Sequence, residues 1–141
     1  MDIYRSPRAP QVEQLLAACD LPASDLSPAH LEHFFACGAW GAPRGVVGVE
    51  IYGQVALLRS LAVAADCRGL GCGRALVAEA ESYARLRGVS QLYLLTTTAG
   101  RFFERLGYAL AARESAPEEI RRTQEFSALC PSSAEFMVKR L

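Results

Sequence analysis

Lysine is almost missing from this chain. Of its 15 basic residues in 141, Lys139 is the single lysine and the rest are arginine. The bias says little by itself, but it removes one phosphate-binding device, because G-x-x-x-x-G-K-[ST] needs a lysine beside its glycines and none lies near. An excess of charge is also missing: 15 basic side chains face 15 acidic ones. This argues against a strongly basic nucleic-acid binder and leaves room for a local anion site. Cys19, Cys37, Cys67, Cys72 and Cys130 form no C-x-x-C pair and are odd in number. No structural zinc or other metal is expected, and the thiols read as five reduced cysteines of a cytoplasmic protein. The first thirty residues carry Asp2, Glu13, Asp20 and Asp25 and lack the apolar block of a secretory signal. No apolar run approaches the roughly 20 residues of a membrane span, so no membrane partner is expected. No repeat or long linker divides the chain, and residues 1–141 read as one domain.

What is present is a mixed α+β pattern. Residues 1–5 suggest a short strand, and Val12, Leu15, Leu16 and Cys19 have helical spacing. Residues 24–28 read as a loop or short turn, 31–39 as a strand and 41–45 as a turn. Residues 46–52 and 55–63 are β-rich and flank Gly53-Gln54, a hairpin signal. A helix over 74–87 buries Leu76, Val77, Ala80, Tyr83 and Ala84, and Gly88 follows where a cap would sit. The apolar run 91–95 then makes a parallel βαβ unit with 55–63. Short helices are expected at 100–106 and 117–122, and strands at 108–112 and 136–141.

The most informative stretch joins the strand end Leu61-Ala62-Val63 to the helix through Arg68-Gly69-Leu70-Gly71-Cys72-Gly73-Arg74. Glycines let a backbone turn sharply and approach a ligand. The unpaired N–H groups of the helix start, with the positive end of its dipole behind them, make an anion cradle. A plain tight turn is the bland alternative. The dinucleotide pattern G-x-G-x-x-G fails, since the third glycine falls one step early and no acidic residue follows at the required distance.

Arg68-x-x-Gly71-x-Gly73 between that strand and that helix resembles the GCN5-related N-acetyltransferase (GNAT) superfamily. The later step Phe103-Glu104-Arg105-Leu106-Gly107-Tyr108 after the strand at 91–95 resembles it too. The resemblance implies an α+β fold whose mostly antiparallel sheet contains a splayed parallel strand pair with flanking helices. It implies acetyl-CoA as cosubstrate. The pyrophosphate would lie on Arg68, Gly69, Leu70, Gly71, Cys72, Gly73 and Arg74. The pantetheine arm would pair with Leu61, Ala62 and Val63, with the Leu61 N–H near the thioester carbonyl, where a preorganised donor helps most. Thr97 and Phe103 would complete the cofactor site. Many members carry tyrosine where this chain has Phe103, so the acid for the leaving thiolate is open between Tyr108, Tyr93 and water.

Glu50, Arg59 and Ser60 interrupt the two apolar runs. Strict alternation would put Arg59 on a face with Leu57 and Leu61, and Ser60 with Leu58 and Ala62. Two readings stand. Glu50 and Arg59 form a cross-strand pair without a functional role, or Arg59 holds a substrate carboxylate while Glu50 serves the acceptor amine. The stretch 94–108, with its Thr96-Thr97-Thr98 step, resembles the acetyltransferase domain of N-acetylglutamate synthases. The tail, with Arg121, Arg122 and Phe126 to Pro131, resembles small acetyltransferases linked to arsenic resistance. Those likenesses imply a small-molecule amine acceptor, a glutamate-like amino acid or an arsenic or phosphorus analogue of one. A homodimer is among the expectations. The competing function is a CoA-binding regulatory module that has lost turnover.

Overall fold

A computed structural model of the chain describes residues 2–141. Its strands are β1 (Ile3–Arg5), β2 (Phe34–Ala39), β3 (Ala42–Tyr52), β4 (Val55–Val63), β5 (Gln91–Thr96), β6 (Ala109–Leu110) and β7 (Glu135–Arg140). Its helices are α1 (Ala9–Ala18), α2 (Pro28–Leu31), α3 (Cys72–Leu86), α4 (Gly100–Arg105) and α5 (Glu118–Arg121). The strands form one sheet in the order β1-β2-β3-β4-β5-β7-β6. Every neighbouring pair is antiparallel except β4 with β5, the pair joined by α3. The expected α+β fold and its parallel βαβ unit are therefore present.

Several boundaries differ from the sequence reading, each for a local reason. The strand expected from residue 31 begins at Phe34, because Ser27 caps a short helix over Pro28–Leu31. The Ser27 hydroxyl accepts the His30 N–H, and His30 Nδ1 accepts the Ser27 N–H, a reciprocal cap. The turn at 41–45 is tighter than expected. β3 already starts at Ala42 and carries Pro43 opposite Gly38, beside an irregularity in the ladder where a missing N–H is tolerated. The strand expected over 108–112 shrinks to two residues. Glu125–Leu129, for which the sequence suggests no regular element, forms a π-helical turn closed by the Cys130 N–H on the Glu125 carbonyl at 2.9 Å.

The sheet buries both faces. On one, Val47, Val49, Ala56, Leu58 and Leu92 pack against Leu76, Val77, Ala80 and Ala84 of α3 and Phe103 of α4. On the other, two smaller apolar clusters sit apart. Val12 and Leu16 of α1 cover Phe34, Ala36 and Val46, while Ile120 of α5 covers Leu57, Tyr93 and Phe136. Between these two clusters the same face carries Glu50 and Arg59.

Cys37 and Cys72 are joined by a disulfide, which corrects the expectation of five reduced thiols. The bond ties β2 to the first residue of α3 across a gap that only glycine leaves open. A Cβ on Gly45 would lie 2.6 Å from the Cys72 sulfur and 3.0 Å from that of Cys37. Cys19, Cys67 and Cys130 are free. Spacing could not reveal the pair, because it joins two elements that meet only through the sheet. Among the described residues, no helix is long and apolar enough to cross a membrane.

Candidate active site

The site begins with an irregularity in β4. Gly48 pairs with Arg59 and Val46 with Ala62, so one β3 residue faces two on β4. This is a β-bulge, and Ser60 absorbs it with a φ of 59°. Alternation changes phase there. Leu61 and Val63 pack on the α3 side with Leu58, while Ala62 turns to the α1 side. The expected grouping of Arg59 with Leu61, and of Ser60 with Ala62, is corrected by this one extra residue. Just before the bulge the parallel ladder ends: Leu58 with Leu94 is the last rung between β4 and β5. Beyond it the strands part, and a cleft of about 610 Å³ opens between them.

The cleft's two ends differ in chemistry. At one end lies the glycine loop. Gly69 and Gly71 adopt φ of 81° and 90° with open space where a Cβ would stand. The first helical hydrogen bond runs from the Ala75 N–H to the Gly71 carbonyl, so the preceding N–H groups at the start of α3 have no helical partner. The Arg68 side chain folds back, donating from Nε to the Val63 carbonyl at 3.2 Å, and lines the cleft with Gly69 and Gly73. Leu70 is 70% exposed, and neither it nor Arg74 lines the cleft. Cys72 turns its side chain into the core as half of the disulfide, so only its backbone could serve a ligand.

At the other end lies a buried charge cluster that the sequence reading saw only in part. Arg59 is 4% exposed. Its guanidinium donates to both oxygens of Asp25 (2.5 and 2.8 Å), to Glu50 at 2.8 Å and, through Nε, to the Ser60 hydroxyl at 3.0 Å. It also lies 3.0 Å from Glu125. Four of the five guanidinium N–H groups make these hydrogen bonds and Nη2 also faces Glu125, so the cation is enclosed by three carboxylates of the chain itself. That corrects the ligand reading of Arg59 and leaves the Glu50 pair, enlarged by two carboxylates. Burial alone would lower the Arg59 pKa, but the carboxylates outweigh it and raise it. Burial would lift Asp25, yet Arg59 holds its carboxyl below the usual range. For Glu125 burial wins and its carboxyl is raised. Tyr52 donates to Glu50 at 2.5 Å, and His30 stands 3.9 Å from the same carboxylate. Asp25, His30 and Glu50 approach one another within 4.8 Å, but the positive charge among them is the guanidinium.

Tyr108 is not in the cleft. It is 3% exposed, packs against Phe103, and donates to Glu81 at 2.8 Å on the α3 side. Burial first, then the Glu81 charge, raises its pKa, opposite to what an acid needs. Of the candidates left open for the acid, Tyr108 is thus turned away from the cleft, with its hydroxyl taken by Glu81. Tyr93 is turned to Gln91 and stacked on Phe136. Phe103 and Thr97 do line the cleft, together with Leu61, Ala62 and Val63. No tyrosine, histidine or lysine does so among the described residues. Tyr108→Phe should therefore change kcat by less than about threefold, well short of the roughly 10²–10⁴ of a lost general acid. It should cost about 1–3 kcal/mol of stability, because Glu81 loses a buried donor. Steady-state kinetics beside urea unfolding would check both.

Asp25, Glu125 and Cys130 were not singled out by the sequence reading. They reach the cluster from a loop, a π-helical turn and its end, and no motif spacing links them. A buried Arg59 requires carboxylate partners, but nothing in the sequence says which of the chain's acidic residues supply them.

The family model of the acetyltransferase (GNAT) domain matches residues 30–110. An uncharacterized N-acetyltransferase of Chlorobaculum tepidum is 36% identical over 94 residues, 66% of this chain and 60% of that protein. The chain thus spans less than two thirds of that relative. N-acetylglutamate synthase from Neisseria gonorrhoeae, solved with coenzyme A and N-acetyl-glutamate, superposes with a TM-score of 0.84 at 21% identity, over 100% of this chain and 35% of that one. Rv2747 from Mycobacterium tuberculosis, solved with CoA and NLQ, gives a TM-score of 0.82 at 18% identity, over 100% and 99% of the two chains. At those identities the likeness to the solved structures is one of fold. The family model covers more than half of the chain, and with the bulged β4, the splayed parallel pair and the glycine loop already in view, the chain belongs to the GNAT acetyltransferases.

Proposed function

We propose that the protein is an acetyl-CoA-dependent N-acetyltransferase, an acyltransferase of class EC 2.3.1, acting on the amine of a small molecule. The observation that carries this reading is the continuity of one cleft from the glycine loop to the β4–β5 split. Acetyl-CoA is a substrate here, and the loop suits its pyrophosphate. Open space over Gly69 and Gly71 admits close approach, the first N–H groups of α3 have no helical partner and are available to an anion, and Arg68 adds charge. The β4 backbone over Leu61, Ala62 and Val63 has lost its β5 partner and can pair with the pantetheine amides instead. The Leu61 N–H is the donor assigned to the thioester oxygen, where negative charge develops. Phe103 and Thr97 border the same arm.

The chemistry is direct attack of a neutral amine on the thioester carbonyl. The C–N bond forms, the C–S bond breaks, and the CoA thiolate collects a proton from the nitrogen that has become an amide. Thiols have an ordinary pKa near 8.5, so this leaving group departs without a strong side-chain acid. That fits a cleft bordered by Phe103 rather than tyrosine.

The finer reading is a glutamate-like acceptor, or an arsenic or phosphorus analogue of one, in a cytoplasmic enzyme. It is supported by the likeness of residues 94–108 to N-acetylglutamate synthases. Its carboxylate would need a partner other than Arg59. The missing tyrosine favours one competing reading, a CoA-binding regulatory module without turnover. Thiol release from acetyl-CoA with L-glutamate, L-glutamine, L-lysine and spermidine in turn separates them. The expected result is release that depends on one amine. CoA binding without release for any amine would favour the regulatory module. Light scattering would decide the expected homodimer.

A further inference from the structure

We propose that Glu125 receives the acceptor's ammonium group in the cleft and takes its proton, with Arg59 and Cys130 holding the carboxylate in position. This rests on the acetyltransferase reading above and adds the identity of the base. Among the described residues, the carboxylates lining the cleft are Asp20 and Glu125. Asp20 is exposed, whereas Glu125 is 6% exposed, as a proton-transfer site shielded from water requires. Its place along the cleft is set by Arg59, 3.0 Å away. Arg59 directly precedes the bulged Ser60, where β4 leaves β5. Glu125 therefore stands at the split, on the side away from the glycine loop.

The charges facing it leave a cation wanting. Arg59 comes from β4, Asp25 from the loop before α2 and Glu50 from β3, while Cys130 comes from Glu125's own segment. His30 stands beside both Glu50 and Asp25, and Tyr52 donates to Glu50. One guanidinium thus serves three carboxylates, and it serves them unequally. Asp25 takes two of its N–H groups. Glu50 takes one, together with the Tyr52 hydroxyl. Glu125 has one Arg59 contact and the Cys130 thiol, which donates at 2.8 Å. It is the least compensated of the three and the one that borders the cleft. An ammonium would complete its partners.

The surroundings suit the second half of the role. Burial raises the Glu125 carboxyl while Arg59 keeps Asp25 low, so of these two carboxylates Glu125 takes a proton the more readily. The Cys130 thiol is pushed up to about 12 by burial and by Glu125, so it stays protonated and keeps donating. The π-helical turn fixes the geometry: Cys130 N–H closes it on the Glu125 carbonyl, and Thr123 Oγ1 accepts the Phe126 N–H at 3.2 Å. In the step itself the N–H bond of the ammonium breaks and an O–H bond forms on Glu125. The freed lone pair attacks the thioester carbonyl, and the later amide proton leaves with CoA as its thiol. Glu125 returns its proton to solvent, so amine cation and acetyl-CoA become amide, CoA and one proton.

The test compares the parent with Glu125→Gln, using the fastest amine of the four-compound panel. Glutamine keeps the shape and an acceptor oxygen but cannot take the proton. The expected kcat/KM falls about 100-fold or more at pH 7, in the range of a lost general base, while the CoA-induced melting shift is retained. The deficit should shrink as pH rises toward the amine's own pKa, because free amine then arrives already deprotonated. Glu125→Asp, which keeps a carboxylate, should recover part of the rate. A Glu125→Gln enzyme with the parent's kcat/KM overturns the proposal. So does a deficit that is the same at every pH, which would mark a purely structural residue. A parent that binds CoA but acetylates no amine overturns the acetyltransferase reading together with this one, and is told apart because no parent rate exists to lose.

Discussion

Arg59→Met should destabilise the fold by about 3–5 kcal/mol, the loss typical when one partner is removed from a buried charge network. Methionine fills much of the same volume, so the effect isolates charge rather than a cavity. It leaves Asp25, Glu50 and Glu125 facing one another in a largely buried region, with the Tyr52 hydroxyl and the Cys130 thiol still donating to Glu50 and Glu125. Natural domains hold roughly 5–15 kcal/mol in total, so the variant should survive with a much lower denaturant midpoint. The pH dependence gives the sign. In the parent, Asp25 is held below its ordinary pKa, so its pairing stabilises above that value and the contribution is lost as pH falls through the depressed one. In the variant, uncompensated carboxylates rise above their unfolded values, so stability is lost as pH rises. The gap between parent and variant should therefore narrow from pH 7 to pH 5. Urea unfolding at both pH values would show it. A variant of parental stability with a raised KM for glutamate would restore the substrate-carboxylate role that the geometry withdraws from Arg59.

Gly71→Glu should abolish the stabilisation of the protein by CoA. Ligand at a hundredfold excess over Kd adds about 2.7 kcal/mol. At about 3 °C per kcal/mol for a domain of this size that is roughly 8 °C in Tm. Position 71 has open space around its missing Cβ, so a side chain there displaces no protein atom. It enters the cradle, and its carboxylate repels the pyrophosphate. Its φ of 90° also strains any L residue, a cost unrelated to the ligand. Gly53 supplies the control. It has a φ of 67°, open space and a place in the β3–β4 hairpin turn. Gly53→Glu should share the strain and keep the CoA shift. Differential scanning fluorimetry on the three proteins with and without CoA reads both effects. A full shift in Gly71→Glu would move the cofactor away from this loop.

The elements of this protein were legible wherever a local pattern carries them. Helical spacing placed α1 and α3, Gly53-Gln54 placed the hairpin, and β–α–β order placed the parallel pair. Arg68-x-x-Gly71-x-Gly73 pointed to the anion cradle because a loop and the helix start after it are contiguous in the chain. The failures share one cause. A single extra residue at Ser60 inverts the faces of Leu61, Ala62 and Val63, and alternation has no means of announcing a bulge. Tyr108 follows Phe103 by five residues and yet faces Glu81, because packing of α4 on α3 decides its direction. Cys37 meets Cys72, and Asp25 and Glu125 meet Arg59, only after the sheet has brought β2, β3, β4 and the two covering layers together. The sequence by itself determined the family, the sheet-forming runs and the loop for an anion. Tertiary structure alone decided which charges Arg59 neutralises and which carboxylate is left facing the cleft, because burial and charge pairing depend on neighbours distant in the chain.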